Sequence, residues 1–201
     1  MLPIALDLSR LPIALIGNGQ GLIKRMEKLD SAGIEDISVY SQDASLLQHS
    51  IFTRHKTNSY LPKEEDLSST HVLMGVDLDE TYEEWLYDYA RTHRILINIE
   101  DRMPYCDFHF SSVVRRGDLM LSVNSKGKSP ALTARIARLL EAAFEPLWAE
   151  RLEAIAEKRL AWKKEGLGFK DIIKNSNQWI DEQGWFGDNL CPRHRMESKR
   201  P

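Results

Sequence analysis

Only two cysteines occur in the 201 residues, Cys106 and Cys191, far apart and with no Cys-x-x-Cys pair. No disulfide framework is expected, and a reducing cytoplasm fits this usage best. Each cysteine has a histidine three residues on, His109 and His194. A zinc site would have to join these two distant pairs, so no metal site is expected. Long apolar runs are missing as well: none approaches the roughly 20 residues that span a bilayer. The start, Met1-Leu2-Pro3-Ile4-Ala5-Leu6-Asp7, has no basic region and meets an acid at once, unlike a signal peptide. There is no basic surplus: 27 Lys and Arg stand against 30 Asp and Glu, a net charge of −3. That argues against a general nucleic-acid binder and leaves room only for a local basic site. Internal repeats and low-complexity tracts are also lacking. With 42% hydrophobic and 28% charged residues, the chain reads as an ordinary soluble globular protein, one medium domain or a domain with an appendage.

What is present begins with Pro12 to Ile16, a short strand of the buried type. It runs into Gly17-Asn18-Gly19-Gln20-Gly21, then a helix from about Leu22 to Ser31, closed near Gly33, and a second strand over Ile37 to Tyr40. This is the β–glycine loop–α–β order that opens a dinucleotide-binding fold, in which glycines let the backbone approach a diphosphate at the helix start. Gly17 and Gly19 fill the first two places of G-x-G-x-x-G/A. The third is Leu22, where a small residue usually lets helix and strand close up. On pattern alone a plain strand–helix turn is an equal reading. Asp43 follows the second strand at about the ~20-residue separation expected of an acid that binds ribose hydroxyls, or it is a solvated loop residue.

Residues 44–70 are polar and poorly periodic; Leu46, Leu47, Ile51 and Phe52 fit a short helix. A third strand is expected over His71 to Val76, a helix over Thr81 to His93 and a fourth strand over Ile95 to Ile99. Tyr82, Trp85, Leu86 and Tyr89 on that helix read as packing. Strands alternating with helices imply a parallel sheet with ligands at its C-terminal edge.

The fourth strand ends in Glu100 and Asp101. Strand-like runs from Phe108 to Val114 and Leu119 to Val123 follow, parted by the turn Arg115-Arg116-Gly117-Asp118. The loop Asn124-Ser125-Lys126-Gly127-Lys128 then leads to a helix that Ser129 can cap and Pro130 can begin. A carboxylate at a strand end and a cationic loop feeding a helix start suit an anionic substrate. Gly127-Lys128-Ser129 resembles the end of a P-loop, but the leading glycine would fall on Ser122, which rules that out. From Pro130 onward the pattern is helical, with further helices over Leu147 to Trp162 and Phe169 to Trp179. The end, Gly187 to Pro201, is polar and basic and expected to fray.

Five blocks resemble the precorrin-2 dehydrogenase/sirohydrochlorin ferrochelatase family, which also forms the N-terminal half of siroheme synthase. They are Leu2 to Leu8; Ile16 to Gln20, where the family has three glycines; and Gly75-Val76-Asp77, where it often has Ala-Thr-Asp. The others are Asn98-Ile99-Glu100-Asp101 with Cys106-Asp107-Phe108-His109-Phe110, and Arg116 to Leu119 with Ser122 to Leu132. The likeness covers roughly residues 1–145.

The resemblance implies an α/β fold: a Rossmann-like parallel-sheet NAD domain over 1–112, a dimerisation segment over 113–145 and a small helical domain over 146–201. It implies a homodimer that oxidises precorrin-2 to sirohydrochlorin with NAD, and in many members then inserts Fe2+ to give siroheme. Asp101 matches the family's key aspartate and is assigned the general-base role; the residues alone allow equally a strand-end turn cap. Cofactor contacts are implied for Gly17, Asn18, Gly19, Gln20, Gly21, Gln42, Asp43, Gly75, Val76 and Asp77. The tetrapyrrole's carboxylates suit Arg115, Arg116, Lys126 and Lys128, beside Ser125, which matches a loop serine of the family's tetrapyrrole site and reads otherwise as a turn residue. Asn18, Leu22 and Gly75-Val76 depart from the family pattern on the NAD side. The alternative is therefore a sirohydrochlorin chelatase or tetrapyrrole-binding protein without NAD-dependent activity.

Overall fold

Ile13–Gly17 is apolar at every position but its last, a run suited to a strand covered on both faces, and all five residues of this strand, β1, are buried. In the computed structural model, which describes residues 2–186, it sits at the centre of a five-stranded parallel sheet. The order is β3 (Lys56–Asn58), β2 (Ile37–Tyr40), β1, β4 (Val72–Val76), β5 (Leu96–Ile99). The chain leaves β1 toward β2 on one side and returns to β4 on the other. The sheet's topological switch point therefore falls between the C-terminal ends of β1 and β4.

Helix α1 (Gly19–Asp30) connects β1 to β2 and buries Leu22, Met26 and Leu29, spaced four and three apart on one face. A short α2 (Glu64–Leu67) precedes β4. Helix α3 (Glu80–His93) starts with the Asp79 carboxylate accepting the Tyr82 N–H at 3.0 Å and ends at Arg94, in the left-handed conformation. Its Leu86, Tyr89 and Ala90 join Ala14, Ile16, Leu73, Ile97 and Ile99 in one core cluster, with Tyr82 and Trp85 packed against it. The aromatics are packing, as the sequence suggests.

The chain forms two units, one up to His109 and one from Phe110. The second holds an antiparallel hairpin of β6 (Ser112–Arg116) and β7 (Leu119–Val123), then helices α4 (Pro130–Ala143), α5 (Trp148–Lys164) and α6 (Phe169–Glu182). Ser129 and Pro130 start α4 as their types predict: the Ser129 hydroxyl accepts the Leu132 N–H at 3.3 Å.

Three expectations need correction. The polar stretch 44–70 contains an edge strand, β3, whose Lys56-Thr57-Asn58 carries no apolar signal because it is largely exposed. The short helix expected there is two 3-10 turns, Leu46–Gln48 and Ser50–Phe52. The strand expected from Phe108 begins at Ser112 instead, because Cys106 to Phe108 is held against β5 by its own hydrogen bonds, described below. The fraying expected of 187–201 falls outside the described residues.

Gly17 shows how tightly the switch point is closed. A Cβ there would lie 2.2 Å from the Val76 carbonyl oxygen, a backbone atom that cannot step aside without parting β1 from β4. Gly17→Ala should cost about 2–3 kcal/mol in urea unfolding followed by circular dichroism. An unchanged midpoint would show that the two strands are not held at this spacing.

Candidate functional site

The C-terminal edge of the first unit's sheet gathers most of the residues singled out from the sequence. Asn18 follows β1 in extended conformation (φ −137°), so this position does not need the glycine of the family pattern. Its side chain ties three strand ends together: Nδ2 donates to the Asp77 carbonyl at 3.3 Å after β4, and Oδ1 accepts from the buried Ser41 hydroxyl at 3.0 Å after β2. The close helix–strand contact expected at the third motif position falls on Gly21, one residue before Leu22. A Cβ on Gly21 would meet Val76 Cγ1 at 2.6 Å. Leu22 is fully buried in the core, so the departure at 22 does not open the loop. Gly75 lies within β4, where a Cβ would come within 2.6 Å of Ile99 Cδ1. Gln20 and Gln42 are exposed.

Because Asn18 uses its side chain across the strands, it makes no side-chain cap on α1, and the helix has no acid in its first turn. An uncapped helix start at a switch point fits a dinucleotide diphosphate. Two carboxylates lie beside it. Measured from a Cβ placed on Gly21, Asp77 Oδ2 and Glu100 Oε2 are each 3.1 Å away. Asp77 has φ +49°, in the left-handed region. Asp43 Oδ1 accepts from the Ser45 N–H, the Ser45 hydroxyl and the Leu46 N–H, and the Ser45 hydroxyl, then Leu46, hold its carboxyl below the usual carboxylate range. Its carboxylate is exposed and held in place just beyond the end of β2. The first unit thus fits the cofactor's diphosphate and ribose, with local negative charge as the opposing feature.

Asp101 stands at the end of β5, exposed, with φ +58°. It is the third residue of a turn closed by Arg102 N–H donating to the Ile99 carbonyl at 3.2 Å. The neighbours of Asp101 are fixed on both sides. Arg25 of α1, 5% exposed, donates from Nη2 to Glu100 Oε1 and from Nη1 to Asn98 Oδ1, each at 3.0 Å. Arg102 pairs with Glu80 at 2.6 Å and Glu83 at 3.1 Å on α3. Burial pulls the Arg25 guanidinium below its ordinary value, while Glu100 first, then Cys106 and Asp101, act against that shift. Burial likewise raises the Glu83 carboxyl, with Arg102 opposing.

Behind the turn, the Cys106-Asp107-Phe108 block folds back on β5. Asn98 Nδ2 donates to the Phe108 carbonyl at 2.8 Å, Ile97 N–H to Asp107 Oδ2 at 3.0 Å, and the Cys106 thiol to the Ile99 carbonyl at 3.1 Å. Asp107 is also paired with Arg91. The partners of Arg25 lie more than seventy residues away, so motif spacing could not single it out. A lone charge on the buried face of an amphipathic helix was the available clue.

The remaining candidates lie in the second unit. Arg115, Lys126 and Lys128 are exposed, and Lys126 has φ +54°. Ser125 Oγ accepts the Ser129 N–H at 3.0 Å, so it shapes the loop into α4. Arg116 directs its guanidinium at the carbonyls of Phe144, Glu141 and Arg115, at 2.5, 3.0 and 2.8 Å, capping the C-terminal end of α4. Among the described residues no group of three or more His, Cys, Asp and Glu could hold a metal ion, and no helix is long and apolar enough to cross a membrane. Cys191 and His194 lie outside the described residues.

The fold and this edge define a dinucleotide-binding domain. The chain belongs to the family whose model, described as "Putative NAD(P)-binding", matches residues 4–112. It is 26% identical over 191 residues to Siroheme synthase 1 of Serratia proteamaculans (strain 568), covering 87% of this chain and 40% of that protein. It is 25% identical over 207 residues to the Siroheme synthase of Zymomonas mobilis subsp. mobilis (strain ATCC 31821 / ZM4 / CP4), covering 94% and 43%. The chain thus spans less than half the length of these relatives. Among solved structures it resembles SirC, precorrin-2 dehydrogenase, with a TM-score of 0.69 and 19% identity, covering 94% of this chain and 93% of that one. That likeness shows the fold.

Burial raises the Cys106 thiol above its ordinary value. In a Cys191→Ser background, iodoacetamide should therefore label Cys106 at pH 7 several-fold more slowly than a free cysteine, the rate rising toward alkaline pH as the thiolate forms. Labelling as fast as free cysteine would mean the Cys106 clasp on β5 is open.

Proposed function

We propose that this chain is an NAD-dependent dehydrogenase that converts precorrin-2 to sirohydrochlorin in siroheme biosynthesis. The observation that carries the reading is the placement of Asp101 at the end of β5, on the same sheet edge as the uncapped start of α1. Relatives named siroheme synthase and a fold shared with a protein named precorrin-2 dehydrogenase support the choice of substrate.

In this reading the first unit holds the dinucleotide. The Gly17–Gly21 loop presents its backbone to the diphosphate, Asp43 and Gln42 meet the ribose, and Gly75, Val76 and Asp77 line the end of β4. NAD, when bound, accepts the hydride. The Asp101 carboxylate takes the proton lost from the substrate, and the exposed turn lets it reach a large, flexible tetrapyrrole. Arg115, Lys126 and Lys128, with Ser125, supply cations and a hydroxyl for the substrate's carboxylates; Arg116 acts by holding the end of α4.

The segment 113–145 serves dimerisation. Val113 and Met120 of the hairpin, and Leu132 and Leu139 of α4, are 39–71% exposed, apolar side chains that contact with a second copy would cover. The helices over 146–201 form the small C-terminal domain. The working place is the cytoplasm. Insertion of Fe2+ into the product is a second step in which Asp101 would accept pyrrole N–H protons.

One observation favours a second reading. Asp77 and Glu100 bring negative charge to the start of α1, as expected of a chelatase or tetrapyrrole-binding protein that no longer uses NAD.

An anaerobic assay with precorrin-2, with and without NAD, decides. Product absorbance should appear only with NAD, and Asp101→Ala should abolish it while the circular dichroism spectrum stays unchanged. NAD-independent binding or metallation of supplied sirohydrochlorin, with no dehydrogenation, selects the second reading. Wild-type turnover by Asp101→Ala removes the general-base assignment.

A further inference from the structure

Arg25 is a buried charge on α1 whose reach to β5 the dehydrogenation reading leaves without a role. Its guanidinium forks, one arm on Asn98 Oδ1 and the other on Glu100 Oε1, both at 3.0 Å. Asn98 in turn holds the Phe108 carbonyl, so the fork braces the strand that presents Asp101 and the segment folded behind it. The other oxygen of Glu100 faces the first turn of α1, 3.1 Å from where a Cβ on Gly21 would stand. One cation therefore meets a carboxylate that borders both the helix start and the turn bearing Asp101.

We infer that Arg25 is a positioning residue with two tasks: it offsets the Glu100 charge beside the dinucleotide diphosphate, and it fixes the Asn98–Glu100 strand end from which Asp101 acts. This inference rests on the dehydrogenase reading above. Both tasks follow from geometry. Coulomb repulsion between an uncompensated Glu100 carboxylate and a diphosphate acts at short range, inside the screening length of the solvent. A base displaced by a fraction of its hydrogen-bond reach loses rate without losing substrate affinity.

The test is a charge cycle on the full chain, read by NAD binding in titration calorimetry and by kcat and KM. In Arg25→Met, Glu100 keeps its charge and loses its partner, so NAD affinity should fall about tenfold and kcat by a similar factor. In Arg25→Met/Glu100→Gln both charges are gone; NAD affinity should return to within about twofold of wild type while kcat stays low, because the fork is still absent. Glu100→Gln alone should bind NAD at least as tightly as wild type and turn over more slowly. It keeps the test alive if Arg25→Met does not fold.

A merely structural role predicts the opposite pattern, with the double variant binding no better than Arg25→Met and Glu100→Gln binding more weakly than wild type. Either result overturns the inference, as does a wild-type Kd and kcat in Arg25→Met. These outcomes leave the dehydrogenase reading intact so long as wild type binds NAD and oxidises precorrin-2. Wild type that binds no NAD overturns both.

Discussion

The structure of the first unit depends on how closely β1 and β4 approach where their C-terminal ends meet. Gly17 pairs with Val76 across a gap that leaves no room for a Cβ, and Asn18 N–H continues the contact to the Val76 carbonyl at 3.2 Å. From that junction the chain can turn sharply into α1, and Gly21 can set the helix directly over Val76. The rest of the edge is built on this spacing. Asn18 is near enough to both Ser41 and Asp77 to bind each, and Arg25, farther along α1, arrives at the right depth to reach β5. Burying Leu22, Met26 and Leu29, at about 2 kcal/mol each, holds the helix down so that these polar contacts stay in register.

Charge is arranged on this edge in a way that composition does not reveal. Asp77 and Glu100 converge near a helix start, whose partial positive charge favours an anion, and Asp101 follows Glu100 at the end of β5. Three uncompensated carboxylates would make the edge a poor place for a diphosphate. Arg25 engages Glu100, and Arg102, next to Asp101, turns instead toward Glu80 and Glu83 on α3. Among the described residues Asp101 has no arginine bonded to it, and it stands between two residues that are each held in an ion pair. The backbone that carries this carboxylate is held from both sides. A half-buried pair such as Arg25–Glu100 is weak evidence for added stability; its value lies in fixing geometry.

Much of the sheet could be read directly because β1, β2, β4 and β5 are buried runs bounded by glycine or acid. The start of α4 was readable for a similar reason: Ser129 and Pro130 act locally. What stayed hidden depended on contacts distant in sequence. Asn18 looked like a missing glycine until its backbone proved extended and its side chain bridged β2 and β4. Leu22 looked like an obstruction until Gly21 was seen to make the close contact one residue earlier. The Cys106-Asp107-Phe108 block carried a family resemblance but no periodicity to show that it is clasped to β5. Lys56-Thr57-Asn58 could not be recognised, since an exposed edge strand needs no apolar residue.

Backbone strain alone does not mark the site. Among the described residues, four other than glycine have a positive φ: Asp77, Arg94, Asp101 and Lys126. Arg94 is accounted for by closing α3, its N–H on the Ala90 carbonyl, and Lys126 by a tight loop in which its N–H donates to Asn124 Oδ1 at 2.7 Å. Glycine or asparagine would fit such places at less conformational cost. Asp77 and Asp101 differ in where the strain lies. Both end neighbouring parallel strands on the edge that bears the glycine loop, and both present a carboxylate to a face where ligands of such sheets bind. If only the turn mattered, glycine would serve at either position. At Asp101 the flanking residues are tied to separate helices, Glu100 to α1 through Arg25 and Arg102 to α3 through Glu80 and Glu83, so its carboxylate stands on a turn fixed from both sides, which the shape of the chain alone does not require.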